Sequence, residues 1–252
     1  MTRAIVTGAS GGLGLEFARL LARSGANLVL VARSGDKLEK IAAELRATNG
    51  VSVEIVVQDL GVPDAAARLV ERASSCDILV NNAGFANHGR FWELSPESIR
   101  EEMLLDVVTL TELTRAYIPG MRDRGKGRVL NVASTAGFLP GPYMAVYYAS
   151  KAYVISFSQA IAEELRGSGV TVTCLCPGAT DTGFAARADM GKTMLFRMRM
   201  ADAASVAKAG FDAMMAGKDM CIPGLSNKLT TLSTKVTPRR LLLWFSGRLV
   251  KP

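Results

Sequence analysis

Short apolar runs alternate with helical patterns along most of this chain, and that alternation constrains the fold more than any other feature. Residues 4–6, 27–32, 51–57, 78–80, 128–132 and 170–175 read as strands. Between and after them, residues 15–23, 36–46, 63–73, 96–121 and 145–166 carry helical periodicity. Apolar strands each followed by a helix imply a parallel sheet covered on both faces, with right-handed crossovers. Ser95 is placed to cap the helix that Pro96 opens, and Pro119 is expected to kink its far end.

The 252 residues suffice for one α/β domain with a well-buried core, here assigned to 1–224 with an extension at 225–252. A hydrophobic share of 49% excludes a mainly disordered chain. No apolar run approaches the ~20 residues of a membrane-crossing helix. The first strand starts close to Met1, so no signal peptide is expected and the expected location is cytoplasmic. Cys76, Cys174, Cys176 and Cys221 fit neither a zinc site nor a disulfide framework, and Cys174 and Cys176 are expected to be buried thiols. His88 is the only histidine, so no metal centre is expected. Of the net charge of +7, the extension holds +6, as Lys228, Lys235, Arg239, Arg240, Arg248 and Lys251 without any acid. The nearly neutral remainder argues against a nucleic-acid groove.

Thr7-Gly8-Ala9-Ser10-Gly11-Gly12-Leu13-Gly14 lies between the first strand and the first helix. Glycines there let the backbone approach a pyrophosphate, and the helix N-terminus supplies N–H donors. Farther along, Tyr147 precedes Lys151 by four residues, which puts both on one helix face. A free tyrosine has a pKa of about 10. A neighbouring ammonium favours the phenolate, so Lys151 is expected to pull the tyrosine pKa toward neutrality. Ser134 can hold a substrate oxygen, and the three side chains together suit carbonyl chemistry. The glycine loop, Asp59, Asn81-Asn82, Ser134 and Pro177-Gly178 all fall at carboxyl ends of strands, where such sheets bind ligands.

Over about residues 3–224 these spaced motifs resemble the short-chain dehydrogenase/reductase superfamily of the classical type. The resemblance implies a single-domain, Rossmann-like doubly wound fold with a seven-stranded parallel sheet, a nicotinamide cofactor, and a homodimer or homotetramer. It places Gly8, Ser10, Gly12, Leu13 and Gly14 in the cofactor loop and Asp59 with Leu60 at the adenine edge. Asn82, Ala83 and Gly84 would lie beside the cofactor, and Pro177, Gly178, Thr180 and Thr182 would line the nicotinamide. Ser134, Tyr147 and Lys151 match the catalytic set, in which the lysine also holds the nicotinamide ribose. Asp106 stands where the family has a catalytic asparagine, whose backbone carbonyl holds a water joining the lysine to solvent. A carboxylate there could pair with Lys151 or stay protonated, and pairing would draw the lysine's field from Tyr147.

The second strand ends Val31-Ala32-Arg33-Ser34, without a carboxylate to bind a ribose hydroxyl. Arg33 and Ser34 suit a 2′-phosphate, so NADP(H) is expected over NAD(H). The expected function is hydride transfer between NADP(H) and a carbonyl or secondary alcohol of a hydrophobic substrate. The alternative, supported by Asp106, is an NADP(H)-binding regulator with weak or no turnover. Phe184, Met190, Met194, Leu195, Phe196, Met198 and Met200 read equally as a lid over an adaptable apolar pocket or as core helix residues. The apolar stretch 241–245, flanked by basic residues, could lie on an anionic membrane surface or cover a subunit or pocket edge.

Overall fold

The computed structural model describes residues 1–184, 193 and 200–251. The principal strands are β1 (Arg3–Thr7), β2 (Asn27–Ala32), β3 (Val53–Val57), β4 (Ile78–Asn81), β5 (Gly127–Val132) and β6 (Val170–Leu175). Three two-residue strands follow: β7 (Thr180–Asp181), β8 (Ala201–Asp202) and β9 (Met220–Cys221). The described helices are α1 (Gly12–Arg23), α2 (Gly35–Asn49), α3 (Ala65–Arg72), α4 (Pro96–Met103), α5 (Leu110–Asp123) and α6 (Ala145–Glu164). They continue with α7 (Ala203–Met215), α8 (Leu225–Ser233) and α9 (Arg239–Val250). Seven strands form one parallel sheet in the order β3-β2-β1-β4-β5-β6-β9, as expected, while β7 and β8 pair separately.

Side-chain alternation along the strands builds a core on each face. Ala4, Val6, Leu28 and Leu30 pack with Phe17, Leu21, Leu38 and Leu45 under α1, α2 and α7. Ile5, Val29 and Val31 point the other way, toward Leu69 of α3 and Leu113, Tyr117 and Met121 of α5. Cys174 and Cys176 are buried thiols, as their apolar strand suggested.

Two local features differ from expectation or were not foreseen. The helix passes through Pro119 and ends at Asp123. Pro119 and Arg115 lie on the exposed side, where water can satisfy the carbonyl that proline leaves unpaired. A departure from α geometry falls at Leu104–Thr109, a π-helical stretch joining α4 to α5. Such bulges concentrate at functional sites. This one carries Asp106 fully inside and ties Thr109 Oγ1 to the carbonyl of Leu60 at 2.8 Å. Ser95 caps α4 through Oγ, which accepts from the N–H of Ser98 at 3.1 Å.

The ends of β1 and β4 are tied into a knot beneath the glycine loop. The hydroxyl of Thr7 accepts from the N–H groups of Asn82 (2.9 Å) and Ala83 (3.0 Å) and donates to the carbonyl of Val80 (3.2 Å). The Asn82 amide returns bonds to the carbonyls of Thr7 (2.9 Å) and Gly8 (3.3 Å). Asn81 reaches sideways to Asn131 (2.9 Å) and Thr114 (3.0 Å), linking β4 to β5 and α5. Gly14 packs against this knot: a Cβ there would lie 2.3 Å from Gly8 O and 2.6 Å from Asn82 Nδ2. Gly14→Ala should therefore destabilise the chain by about 1–3 kcal/mol. Chemical denaturation checks this; an unchanged midpoint would show that α1 can move off the loop without loss.

Candidate active site

Loops at the carboxyl ends of the strands enclose a cavity of about 1510 Å³. Single small-molecule sites run to ~1,000 Å³, so this space admits a long ligand and a second molecule beside it. After β1, Gly8, Ser10, Gly12 and Leu13 line it; after β2, Arg33 and Ser34; after β3, Asp59 and Leu60. Asn82, Ala83 and Gly84 follow β4, Ser134 follows β5, and Pro177, Gly178, Thr180 and Thr182 follow β6. Tyr147 and Lys151 enter from α6. Two expected site residues do not line the cavity. Gly14 sits behind the loop, because the space in front of its α-carbon is filled by Gly8 and Asn82. Asp106 sits behind Lys151.

The glycine loop suits a phosphate-bearing ligand. Gly8 and Gly12 have φ of +67° and +54°, and Cβ atoms there would lie 2.8 Å from Asn82 and Thr182 respectively. The backbone itself thus forms the wall at the N-terminus of α1, where amide groups favour anions.

Lys151 Nζ lies 2.9 Å from Asp106 Oδ2, with both side chains buried, and 3.4 Å from the carbonyl of Val132. Of the two arrangements open to Asp106, the structure shows the pair. Asp106 Oδ1 also accepts from the N–H of Phe85 at 3.2 Å. The same ammonium lies 5.3 Å from the Tyr147 ring centroid. Burial disfavours the lysine's charged form, but Asp106 and its other acidic neighbours outweigh this and raise its pKa. Ser134 Oγ accepts from the N–H of Ala136 at 3.1 Å and donates to Pro177 O at 3.4 Å.

The Tyr147 pKa does not move as expected. Burial raises it, Lys151 pulls it down, Asp106 pushes it up again and Ser134 lowers it, with a net rise above the ordinary value. The ring keeps partial exposure toward the cavity, so water there offsets some of the burial. The lysine acts in the expected direction, but its charge is shared with Asp106.

Several site residues were not singled out by sequence reasoning. Lys37, in the first turn of α2, lines the cavity beside Arg33 and Ser34. A cation at i+4 from Arg33 was the available signal. Asp59 Oδ2 and Glu101 Oε1 lie 3.6 and 3.4 Å from the Arg33 guanidinium, brought there by tertiary folding. Glu102, one turn before Asp106, is fully buried. Burial pushes its carboxyl up to about 7, against hydrogen bonds from Asn87. His88 joins its loop to the end of α9 through Nε2 and the carbonyl of Val250 at 2.6 Å. Tyr148 is buried, lines the cavity and meets Tyr147 edge-on. Phe184 and Met200 line the cavity, with Phe184 5.3 Å from the Tyr147 ring. Met190, Met194, Leu195, Phe196 and Met198 lie outside the described residues.

The family profile described as short chain dehydrogenase matches residues 2–192. A very-long-chain 3-oxoacyl-CoA reductase of Mycosarcoma maydis is 40% identical over 181 residues, covering 68% of this chain and 51% of that protein. The chain thus spans about half the length of that curated relative. A putative ketoacyl reductase of Streptomyces coelicolor is 39% identical over 195 residues, covering 73% and 72%. Among solved structures, a short-chain dehydrogenase from Sphingobium yanoikuyae in complex with NADPH has a TM-score of 0.83 at 32% identity, with 94% of each chain covered. A bulky-bulky ketone specific alcohol dehydrogenase from Comamonas testosteroni has a TM-score of 0.80 at 29% identity, covering 94% and 93%. With the profile, the relatives and the fold in agreement, the chain belongs to the short chain dehydrogenase family of oxidoreductases.

Proposed function

We propose that the protein is an NADP(H)-dependent oxidoreductase that interconverts a carbonyl and a secondary alcohol on a hydrophobic substrate. The observation that carries this reading is the convergence of Ser134, Tyr147 and Lys151 on one cavity that also holds the glycine loop. A bound nicotinamide dinucleotide supplies or accepts the hydride. Tyr147 gives its phenolic proton to the substrate oxygen during reduction and takes it back during oxidation. Ser134 holds that oxygen through its hydroxyl. Lys151 stabilises the phenolate and carries donors toward the ribose.

Cofactor preference rests on three side chains at the end of β2 and the start of α2. Arg33, Ser34 and Lys37 offer two cations and a hydroxyl to a ribose 2′-phosphate. Asp59 and Glu101 hold the guanidinium in place but also compete for it. The NADPH complex of the Sphingobium relative supports the same preference.

The substrate end is apolar. Leu139, Met144, Tyr148 and Phe184 line it, and α9 closes it with Leu241, Leu242, Trp244, Phe245 and Leu249. The ketone, ketoacyl and oxoacyl substrates in the relatives' names agree with an apolar chain or ring carrying one carbonyl. Within 225–251, the helices cover the pocket edge. The outward side of α8 and the turn after it carries Leu225, Leu229, Leu232 and Val236, each 59–84% exposed. This stripe lies among the six basic residues of the extension, which suits the surface of an anionic membrane. Met103, Val108 and Tyr153 form a separate exposed apolar face around α4 and α6, which suits a homodimer or homotetramer.

The Asp106–Lys151 pair favours a second reading, a dinucleotide-binding protein with little turnover, because it shares the lysine's charge with a group other than the tyrosine. Kinetics separate the two. Tyr147→Phe should lower carbonyl reduction by about 100-fold or more while leaving NADPH binding intact; full activity in that variant would refute the role. Asp106→Asn removes a charge that raises the tyrosine pKa, so the pH–rate profile should move to lower pH by about one unit. An identical profile would show that Asp106 does not act on Tyr147. Arg33→Asp should weaken NADPH about 10-fold or more relative to NADH, measured by fluorescence titration; equal losses would sink the assignment. Serine at Leu229, Leu232 and Val236 should abolish co-sedimentation with vesicles containing anionic lipid. Sedimentation of the parent chain only as an oligomer, without vesicle binding, would assign the stripe to a subunit contact.

A further inference from the structure

Behind the cavity, one buried ammonium faces two buried carboxyl groups. Asp106 takes Lys151 directly. Glu102 lies four residues earlier, on the α4 side of the π-helical stretch, and is wholly inaccessible to solvent. Its Oε2 accepts from Asn87 twice, from the backbone N–H at 3.2 Å and from Nδ2 at 2.7 Å. Its Oε1 is buried and has no hydrogen-bond partner among the described residues. The stretch after β4 is therefore clamped by both carboxyls, through Phe85 to Asp106 and through Asn87 to Glu102. At the head of that stretch, Gly84 packs where a Cβ would lie 3.0 Å from Asp106 and 3.3 Å from Lys151 Nζ. Glu102, whose Oε1 has no partner among the described residues, is thus tied through the stretch after β4 to the same cluster as Lys151.

We infer that Glu102 is a positioning residue whose charge sets the field in which Lys151 acts on Tyr147. The inference rests on the oxidoreductase reading of the same site. Charge balance supplies the reason. With Lys151, Asp106 and Glu102 all ionised, one negative charge stands uncompensated in the protein interior, which is costly. With Glu102 neutral, the Lys151–Asp106 pair is balanced. The charged and titratable groups that act on Glu102 are Asp106 from the π-helical stretch and Lys151 from α6; Asn87, from the loop after β4, is neutral. Glu102 in turn acts on Tyr147 and Lys151, raising the pKa of both. Its ionisation, which burial moves up to about 7, therefore falls within the physiological range. Above that pH the added negative charge opposes the Tyr147 phenolate. The base form needed for alcohol oxidation then requires a higher pH, and the acid form needed for carbonyl reduction persists further into the alkaline range.

The test reads the tyrosine itself. The ultraviolet signal of phenolate formation is titrated in the full chain and in Glu102→Gln, each against its own Tyr147→Phe counterpart. Glu102→Gln should lower the Tyr147 midpoint by about one pH unit. Coincident midpoints would overturn the inference. Infrared spectroscopy of the unmodified chain, with carbon-13 in its glutamate carboxyls, gives a second reading that survives failure of the variant to fold. A buried carboxylic-acid band that disappears near neutral pH, in step with a shift in the tyrosine signal, supports the inference; its absence overturns it. Neither readout needs turnover. An active Tyr147→Phe variant would refute the proposed reaction and leave this coupling measurable, while coincident midpoints would refute the coupling and leave the reaction standing.

Discussion

The hydrogen-bond knot between Thr7 and Asn82 holds the two halves of the sheet in register at the point where strand order reverses. β1 lies between β2 and β4, so the chain leaves β1 toward one side of the sheet and later returns to the other. Crevices of this kind open at the carboxyl ends of the strands and are where doubly wound folds bind ligands. A crevice is useful only if its floor is fixed. One threonine hydroxyl makes three bonds there and one asparagine amide two, all to backbone groups at the ends of β1 and β4. Gly14 then allows α1 to pack directly against the loop, leaving its N-terminus aimed into the cavity. The glycine-loop end of the site is therefore a consequence of sheet packing.

The end proposed as catalytic, around Lys151 and Tyr147, depends on a different balance. A buried lysine alone would lose its proton, and a buried tyrosine alone would keep its own. Asp106 resolves the first problem at 2.9 Å and worsens the second, because the carboxylate that holds the ammonium also repels a phenolate. Burial is the largest single influence on both groups. Anything that changes charge behind the lysine, Glu102 included, therefore reaches the tyrosine without touching the substrate. An asparagine at 106 would bring no charge of its own, leaving more of the lysine's field for the tyrosine.

Much of this was legible in the sequence because strand alternation and loop glycines are local signals. The sheet, the loop, and the convergence of Ser134, Tyr147 and Lys151 follow from short apolar runs alternating with helical patterns, from i+4 spacing and from strand ends. What sequence did not show depends on residues distant along the chain. Asp59 and Glu101 meet Arg33 only after β3 and α4 are placed beside β2. Glu102 sits in a polar run that reads as a solvated helix face, and it is buried because the loop after β4 folds over it through Asn87. The direction of the Tyr147 shift was misjudged for the same reason. The i+4 spacing gives the lysine's pull, but not the burial or the competing carboxylate. At Pro119 the helix continues to Asp123, with the proline on a solvent-facing side.

α8 and the turn after it are built inside out. Ser226, Asn227, Thr230, Ser233, Thr234 and Thr237 face the cavity, while Leu225, Leu229, Leu232 and Val236 face away from it. A helix covering an ordinary core would present the opposite faces. α9 is anchored at its far end by Ser246 Oγ donating to Pro140 O at 2.7 Å and by His88 holding Val250. It carries Leu241, Trp244 and Phe245 at the cavity wall, and these remain more than half exposed. The proposed pocket rim and the outward apolar stripe thus both belong to the segment 225–251, which carries six basic residues and no acid. A hydrophobic substrate held in an anionic bilayer would meet that surface before it met Tyr147. The polar lining of α8 then faces the part of the cavity nearest Pro177 and Gly178, through contacts such as Asn227 against Gly178. Apolar entry and polar interior are opposite demands, and a helix with reversed faces meets both.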